Sequence, residues 1–393
     1  MSMVYCGYQR SVSRLFVAIL GSGLLLAMTG ISAHAQYIHQ LSYNGSNWMD
    51  ENLNGSLVEP RYTGVAAFAT TPNDQSHVYY LALGLLDQDH VHQLFYNGVS
   101  WSDEDLTVVS GGEFASATSA VVGFSVGNYQ YVYFVGYDAH VHQLLYNNLK
   151  WVDTDLTAQT GGSFAYDSNL VAFTTNPALH VYYTDANEHI HQLFATNGTN
   201  WQDQDLTQLA GGSEAALGSA NMGGFHIDNL QYVYYLDLNA HIHQLYYNNL
   251  NWSDEDLTSL TKTSGAAGRD GIIAFAIPGT KKMRIYYLNG VNNHVVQLSS
   301  TNNRKWTSAD LTKRSKGPLP GGDVTMGVFA NANGQINLLY ASGPDIYRMF
   351  QPTSTTWSNE NLTELANGDE VFVQTQISGF SLRNDQYIYY VGD

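Results

Sequence analysis

Histidines separated by a single residue recur along the chain, and two aspartates with the same spacing follow each pair. The histidine pairs are His90/His92, His140/His142, His189/His191 and His241/His243. The aspartate pairs are Asp103/Asp105, Asp153/Asp155, Asp203/Asp205 and Asp254/Asp256. On a β-strand, residues two apart point to the same face, so each pair presents two polar groups together. Paired imidazoles suggest metal binding, and paired carboxylates suggest calcium binding or glycoside hydrolysis.

The repetition itself favours a simpler interpretation. A catalytic pair is needed once, and the aspartate strings lack the glycine and terminal glutamate of a known calcium loop. No third ligand follows the histidines at a fixed spacing, and three copies lose the pair. Those copies read Tyr37/His39, His294/Val296 and Asp345/Tyr347. The sequence therefore predicts hydrogen-bonded structural histidines and turn-capping aspartates, with no catalytic residue, no metal ligand and no cofactor.

Seven tryptophans show which elements must position these residues. They recur at intervals of 50 to 54 residues, and the sequence around them repeats nearly verbatim. The seven are Trp48, Trp101, Trp151, Trp201, Trp252, Trp306 and Trp357. A full unit contains four strand-like runs rich in Val, Tyr, Phe and Thr, for example Val65–Thr70, His77–Leu83, Val91–Tyr96 and Trp101–Thr107. Four strands per unit is the pattern of a β-propeller blade.

The two ends of the chain complement each other. Residues 36–54 hold only the third and fourth runs of a unit, and residues 377–393 hold only the first and second. Joined, they complete one blade and remove two open sheet edges. The sequence therefore predicts an all-β fold, a seven-bladed β-propeller over residues 36–393 that a composite blade closes. An open solenoid is the alternative, but it needs capping repeats.

Residues 1–35 are interpreted as a signal peptide. Arg10 and Arg14 precede an apolar run from Leu15 to Met28, and Ala33-His34-Ala35 forms a small-x-small cleavage site. The single cysteine, Cys6, lies in this segment, so no disulfide is expected afterwards. We therefore expect a secreted protein, periplasmic or extracellular. Its formal charge of −18 disfavours nucleic acid and anionic membranes as partners.

Glutamine and tyrosine recur on the third strand of each unit. Gln93 and Tyr96 are three apart and therefore lie on opposite faces, so a groove between blades can combine the Gln of one blade with the Tyr of the next. An aromatic face beside amide and hydroxyl groups suits a sugar. The competing interpretation is that these side chains only satisfy buried polar groups between blades.

The order of a VYY strand, a V-x-Q strand, an aromatic residue and a tryptophan resembles the fungal and bacterial fucose-binding lectin propellers. In that family, a site takes an arginine from the second strand, a glutamate from the third and aromatics from the adjoining blade. The arginine position falls on His77, Tyr131, His180, Tyr232, Arg284, Asn337 and Tyr387. The glutamate position falls on Gln40, Gln93, Gln143, Gln192, Gln244, Gln297 and Arg348. The aromatic position falls on Tyr43, Tyr96, Tyr146 and Tyr247, but on Ala195, Ser300 and Gln351 in three copies.

The resemblance implies glycan partners and a non-enzymatic, lectin-like protein with several sugar sites, for fucose or related sugars. The sites are assigned to the four best-preserved copies together with the sole retained arginine. The implied residues are Gln40, Tyr43, Trp48, His77, Gln93, Tyr96, Trp101, Tyr131, Gln143, Tyr146, Trp151, Gln244, Tyr247, Trp252 and Arg284. The family's Arg–Glu pair is not retained at its own positions, which predicts weaker binding or other sugars. A structural or protein-interaction propeller is the alternative. If the protein were an enzyme, its catalytic residues would have to lie in the divergent units around Arg284 and Asp345.

Overall fold

The computed structural model describes residues 36–53, 59–61, 64–70, 74–84, 88–166, 169–216, 222–267, 271–321, 326–352, 356–372 and 375–392. Within these ranges, the strands form seven antiparallel four-stranded sheets. The predicted signal peptide lies outside the described residues. Among the residues that are described, no helix is long and apolar enough to cross a membrane.

The strands are numbered along the chain. The first two are β1 (Tyr37–Tyr43) and β2 (Trp48–Asn52). Blade 1 contains β3 (Ala66–Thr70), β4 (Gln75–Leu83), β5 (Asp89–Tyr96) and β6 (Trp101–Asp105), followed by α1 (Leu106–Ser110). Blade 2 contains β7 (Val122–Val126), β8 (Tyr129–Val135), β9 (Val141–Tyr146) and β10 (Trp151–Asp155), followed by α2 (Leu156–Thr160). Blade 3 contains β11 (Val171–Thr174), β12 (Leu179–Thr184), β13 (Ile190–Ala195) and β14 (Trp201–Asp205), followed by α3 (Leu206–Ala210).

The remaining blades repeat this order. Blade 4 contains β15 (Met222–Ile227), β16 (Leu230–Leu236), β17 (Ile242–Tyr247) and β18 (Trp252–Asp256), followed by α4 (Leu257–Thr261). Blade 5 contains β19 (Ile273–Ala276), β20 (Met283–Leu288), β21 (Val295–Ser300) and β22 (Thr307–Asp310), followed by α5 (Leu311–Ser315). Blade 6 contains β23 (Gly327–Ala330), β24 (Ile336–Ser342), β25 (Asp345–Phe350) and β26 (Ser358–Asn361), followed by α6 (Leu362–Ala366). Blade 7 pairs β27 (Ser378–Leu382) and β28 (Asp385–Gly392) with β1 and β2.

The first strand of every blade contacts the first strand of the next, and the series closes on itself. Contacts run from β3 to β7, β11, β15, β19, β23 and β27, and β27 contacts β3 again. Blade 7 is the predicted composite, in which β1 pairs with β28 from Tyr37↔Gly392 to Tyr43↔Gln386. The seven-bladed propeller is therefore confirmed. Because the two ends of the chain pair in one sheet, blade 7 also has four strands.

Tyrosines and tryptophans hold neighbouring blades together. The adjacent tyrosines of the second strands are almost wholly buried, as Tyr79 and Tyr80 are in blade 1. The ring of Trp151 in blade 2 meets that of Tyr79 edge-on, with centroids 6.2 Å apart at 77°. The same edge contact joins Tyr182 to Trp252. Each tryptophan thus packs against the preceding blade, a geometry that aromatic pairs prefer.

The fourth strand ends earlier than the sequence suggested. We expected a strand over Trp101–Thr107, but β6 stops at Asp105 and a single helical turn follows. Asp105 is the N-cap of that turn, where its side chain accepts a hydrogen bond from Val108 N at 3.0 Å. The Thr107 hydroxyl accepts another from Val91 N at 3.0 Å. The D-L-T string therefore ends the strand and ties the helical turn to β5.

Candidate functional site

The strand register decides which side chains share a groove. Gln93 lies directly opposite Glu104, and Tyr96 lies directly opposite Trp101. Opposite residues of an antiparallel pair project to the same face, so Gln93 joins Glu104 on one face of blade 1 and Tyr96 joins Trp101 on the other. A groove between two blades, called a seam here and named by their numbers, therefore combines the glutamine face of one copy with the aromatic face of the next.

Seam 3–4 shows this arrangement as an open crevice. His180, Gln192 and Gln204 of blade 3 line one wall. Tyr247 and Trp252 of blade 4 line the other. The crevice has a volume of about 480 Å³, within the range of about 300–1,000 Å³ typical of small-molecule sites. An aromatic wall thus faces a polar wall across a space that a small ligand can enter.

The polar wall of seam 3–4 is tightly hydrogen-bonded. Gln192 Nε2 donates towards His180 Nδ1 at 2.8 Å and towards the Tyr182 hydroxyl at 2.9 Å. It also reaches across the seam to Gln231 Oε1 in blade 4, at 2.7 Å. Burial lowers the pKa of His180 to about 4, helped by the nearby His226. His180 is therefore neutral at physiological pH, which allows its Nδ1 to accept.

Seam 1–2 repeats the same network with other residues. Gln93 Nε2 lies 2.7 Å from His77 Nδ1 and 2.8 Å from Gln130 Oε1 of blade 2. Burial lowers the pKa of His77 to about 4 as well. On the aromatic side, half-buried Tyr146 leans against Trp151, with ring centroids 5.4 Å apart.

Seam 7–1 joins the two ends of the chain to blade 1. Gln40 and Tyr387 of blade 7 line a crevice of about 570 Å³ together with Tyr96 and Trp101 of blade 1. Glu51 lines the same crevice, because it lies opposite Gln40 in the β1–β2 register. This seam therefore places a carboxylate beside the predicted amide and aromatic groups.

Seam 6–7 contains an ion pair that the sequence did not reveal. Arg348 pairs with Glu360 and donates to Gln386 Oε1 of blade 7 at 3.2 Å. Its guanidinium lies 5.2 Å from the ring centre of Trp48, against which Tyr43 packs. The resemblance had placed Arg348 at the glutamate position, so an arginine–glutamate pair exists here on the third and fourth strands, shifted by one strand from the pattern expected.

The other three seams lack the tyrosine. At seams 2–3, 4–5 and 5–6 the aromatic position is Ala195, Ser300 and Gln351. Tyr131, Gln143, Gln244 and Arg284 face these seams, so the structure does not bring them to a tyrosine of the next blade. The sequence paired the Gln of one blade with the Tyr of the next, and the crevices of seams 7–1 and 3–4 have this arrangement. His180 and Gln192, omitted from the predicted site residues, are the partners of Tyr247 and Trp252.

Fourth-strand glutamates are a further group that sequence reasoning missed. Each lies opposite the third-strand glutamine or arginine of its blade, on the face that forms the seam. The four are Glu51, Glu104, Glu255 and Glu360. Burial and the neighbouring Asp254 raise the pKa of Glu255. The signal was present in the strings WMDEN, WSDED and WSNEN, where the glutamate is the third residue after the tryptophan.

The histidine and aspartate pairs lie at the opposite end of the third strand. His90 Nδ1 is 2.7 Å from the capping Asp105, and His92 Nδ1 is 3.2 Å from Asp103. Asp153, the counterpart of Asp103 in blade 2, also accepts a hydrogen bond from Glu113 N of the preceding connection at 3.0 Å. The predicted structural role therefore agrees with the contacts, because these groups cap helical turns and tie each blade to the loop before it.

Comparison with known proteins adds the fold relationship. The sequence matches no protein-family model and no curated protein. A lectin from Aleuria aurantia, a six-bladed propeller with a reported mode of fucose recognition, is similar with TM-score 0.53 and 17% identity, over 77% of this chain and 96% of that chain. AofleA from Arthrobotrys oligospora is similar with TM-score 0.52 and 12% identity, over 91% and 94%. A lectin from Burkholderia pseudomallei has TM-score 0.54 and 11% identity, over 81% and 89%. The chain thus shares the fold of lectin propellers and has seven blades.

Proposed function

We propose that this protein is a secreted, non-enzymatic, lectin-like propeller that binds glycans at its blade seams. The observation that carries the proposal is the crevice of seam 3–4, where a tyrosine–tryptophan wall faces a wall of amides and a neutral histidine. The apolar face of a sugar stacks on an aromatic ring, while its hydroxyls exchange directed hydrogen bonds with amides. Seam 7–1 offers the same combination with an added carboxylate.

Three seams are the proposed sites: 7–1, 1–2 and 3–4. Seam 6–7 has the aromatic wall, but its polar wall carries a charge. Hydrogen bonds to neutral groups are about half as strong as charge-assisted ones, so we expect a weak single site at seam 3–4, where His180, Gln192 and Gln204 form a neutral polar wall. Several weak sites on one ring can still bind a multivalent glycan surface tightly, because linked sites raise avidity by about 10²–10⁴.

Fucose and related sugars are the ligands to test first. The similar Aleuria aurantia lectin carries a reported fucose recognition mode, and this chain differs from the family pattern at the arginine and glutamate positions. The alternative function is a structural or protein-interaction propeller. It is favoured by the saturation of the Gln192 amide, whose nitrogen is already within hydrogen-bond distance of three protein acceptors.

A glycan array separates the two functions. The proposed lectin function predicts binding to a subset of fucosylated, mannosylated or sialylated glycans. This binding should be reduced in Tyr247→Ala and Tyr96→Ala. The matched control is Tyr137→Ala, since Tyr137 is 80% exposed and belongs to no seam. Silence of the wild-type protein across all three glycan groups would leave the structural interpretation. Binding that both seam variants retain in full would place the sugar elsewhere on the molecule.

A further inference from the structure

Four potential metal ligands converge at the rim of blade 2, at the end of β9 away from the seam crevices. Asp138, His140, His142 and Asp155 each offer one oxygen or nitrogen atom, and these four atoms lie within 4.8 Å of one another. From sequence, the His-x-His pair had no third ligand. The structure supplies two, because the turn before β9 carries Asp138 and β10 ends at Asp155.

Two distances within this rim cluster match a compact coordination sphere, and a third is that of a direct hydrogen bond. Asp138 Oδ2 is 3.4 Å from His140 Nδ1 and 3.4 Å from His142 Nε2. Asp155 Oδ2 is 2.6 Å from His140 Nδ1. Around a tetrahedral zinc ion with bonds of about 2.0–2.2 Å, ligand atoms are separated by about 3.3–3.6 Å. The cluster therefore needs only small movements to surround an ion.

In three of the four side chains, the polar atom that does not face the cluster is already held by the protein. His142 Nδ1 bonds to Asp153 at 3.1 Å, which leaves Nε2 to face the cluster. Asp155 Oδ1 accepts from Ala158 N at 2.8 Å, and Asp138 Oδ1 accepts from His140 N at 3.0 Å. Such outer partners fix the orientation of metal ligands, and a carboxylate behind a ligating histidine is the commonest form.

Blade 2 differs from blades 3 and 4 in the position that supplies the carboxylate before the histidine pair. Where blade 2 carries Asp138, blades 3 and 4 carry Asn187 and Asn239. Blades 3 and 4 carry a carboxylate two residues earlier, where Asp185 Oδ2 and Asp237 Oδ2 lie 3.5 and 3.6 Å from Nε2 of the second histidine, but among the described residues no four-ligand cluster forms there. In blade 2, Gly136 makes room for the carboxylate of Asp138, since a Cβ there would lie 2.5 Å from Asp138 Oδ1.

We propose that the rim cluster of blade 2 is a zinc site, with Asp138 Oδ2, His140 Nδ1, His142 Nε2 and Asp155 Oδ2 as ligands. Two imidazole nitrogens and two carboxylate oxygens suit a borderline ion such as Zn²⁺, whereas Ca²⁺ and Mg²⁺ prefer oxygen alone. His142 is buried and Asp138 is exposed, so the ion would be held by one buried ligand and could enter the site from solvent.

Zinc titration of the full protein without a histidine tag, after EDTA treatment and dialysis, tests the site. We expect one equivalent of Zn²⁺ to bind tightly to the wild type. Asp138→Asn, which installs the residue of blades 3 and 4, should lose affinity by at least the factor of about 10–100 that removal of an outer partner costs. His142→Val, which installs the residue that blade 5 carries at 296, should lose it too. The control Asp228→Asn changes an exposed acid elsewhere and should bind as the wild type does.

Cobalt supplies an independent readout of geometry. Co²⁺ should give the intense visible absorption of a tetrahedral site in the wild type and in Asp228→Asn, but not in Asp138→Asn. Thermal unfolding in EDTA should be equal for wild type and Asp138→Asn, which separates loss of the ligand from loss of the fold. The proposal is overturned if wild type and Asp138→Asn give the same zinc titration, or if the wild type binds no more tightly than about 1 mM.

Discussion

Seams 3–4 and 5–6 are built from the same repeat, but only seam 3–4 keeps the glutamine pair across the groove and the facing tyrosine. In seam 3–4, Gln192 bonds across the groove to Gln231, and Tyr247 forms the facing wall. Blade 6 carries Ile336 and Gln351 at the positions of Gln231 and Tyr247. Gln297 of blade 5 is left with a buried Oε1 that has no hydrogen-bond partner within the described part of the chain.

The difference teaches that a seam depends on two copies at once. A blade can keep its glutamine, as blade 5 does, and still contribute nothing when the next blade has lost the complementary residues. The packing of the ring is insensitive to this loss, since Trp306 and Trp357 remain as buried as Trp252. Architecture and candidate binding chemistry therefore diverge independently along the chain.

The largest expected effect concerns the architecture that the two seams share. Trp252→Ala and Trp357→Ala should each destabilise the fold by about 3–5 kcal/mol, because each removes a large side chain packed between blades. Chemical denaturation measures both free energies of unfolding. A loss below about 1 kcal/mol in either variant would contradict the view that every tryptophan supports its seam equally.

A smaller effect should distinguish the two glutamines. Gln192→Leu removes the hydrogen-bond partner of His180 Nδ1 and the acceptor of Gln204 Nε2, while the Tyr182–Gln231 hydrogen bond remains, and should cost about 1–3 kcal/mol of folding free energy. Gln297→Leu removes an orphaned amide oxygen and should be neutral or stabilising. The two variants compared in one denaturation series provide the measurement. Equal losses in both would show that the cross-seam hydrogen bonds contribute little.

Acid should act on the polar wall of seam 3–4. The pKa of His180 is lowered to about 4, so the ring stays neutral until the solution nears that value. Protonation then removes the acceptor for Gln192 Nε2. We expect glycan binding at this seam to be constant from neutral pH to about pH 5 and to fall as pH approaches about 4. Binding isotherms across this range check it, and a loss centred near the unperturbed histidine pKa would contradict it.

The rim histidines should show the opposite pH dependence and the smallest effect. Desolvation lowers the pKa of His191, but the stronger influence of Asp203, Asp185 and Asp205 raises it overall. A raised folded-state pKa adds stability below the unfolded value near about 6.5, and this stability is lost as pH rises through the folded value. The free energy of unfolding should therefore decline above about pH 6.5, and less so in His191→Val. An unchanged pH slope in that variant would count against the rim ion pairs.

Much of the fold followed from the sequence alone. The tryptophan spacing gave the number of blades, and the split unit gave the composite blade that β1 and β28 form. The end of β6 was misplaced because the D-L-T string looks like strand, whereas Asp105 starts a helical turn as its N-cap. Strand propensity does not reveal where a side chain accepts a hydrogen bond from a backbone N–H group and so ends the strand.

The candidate site was only partly predictable. Period-two alternation put glutamine and tyrosine on opposite faces and paired the Gln of one blade with the Tyr of the next. However, selecting residues by well-preserved copy left out His180 and Gln192, which face Tyr247 and Trp252. Glu51 and Glu360 were missed because their role depends on cross-strand pairing with Gln40 and Arg348. The convergence of Asp138 with the histidines of blade 2 depends on a turn geometry that spacing along the chain does not encode.

Crystals soaked with L-fucose and related monosaccharides test the central claim most directly. The account predicts sugar density in the crevices of seams 7–1 and 3–4, with the ring against Trp101 or Trp252 and hydroxyls near Gln40 or Gln192, and none at seam 5–6. Sugar bound only away from the seams, or both crevices empty under conditions in which the protein binds glycans in solution, would contradict it.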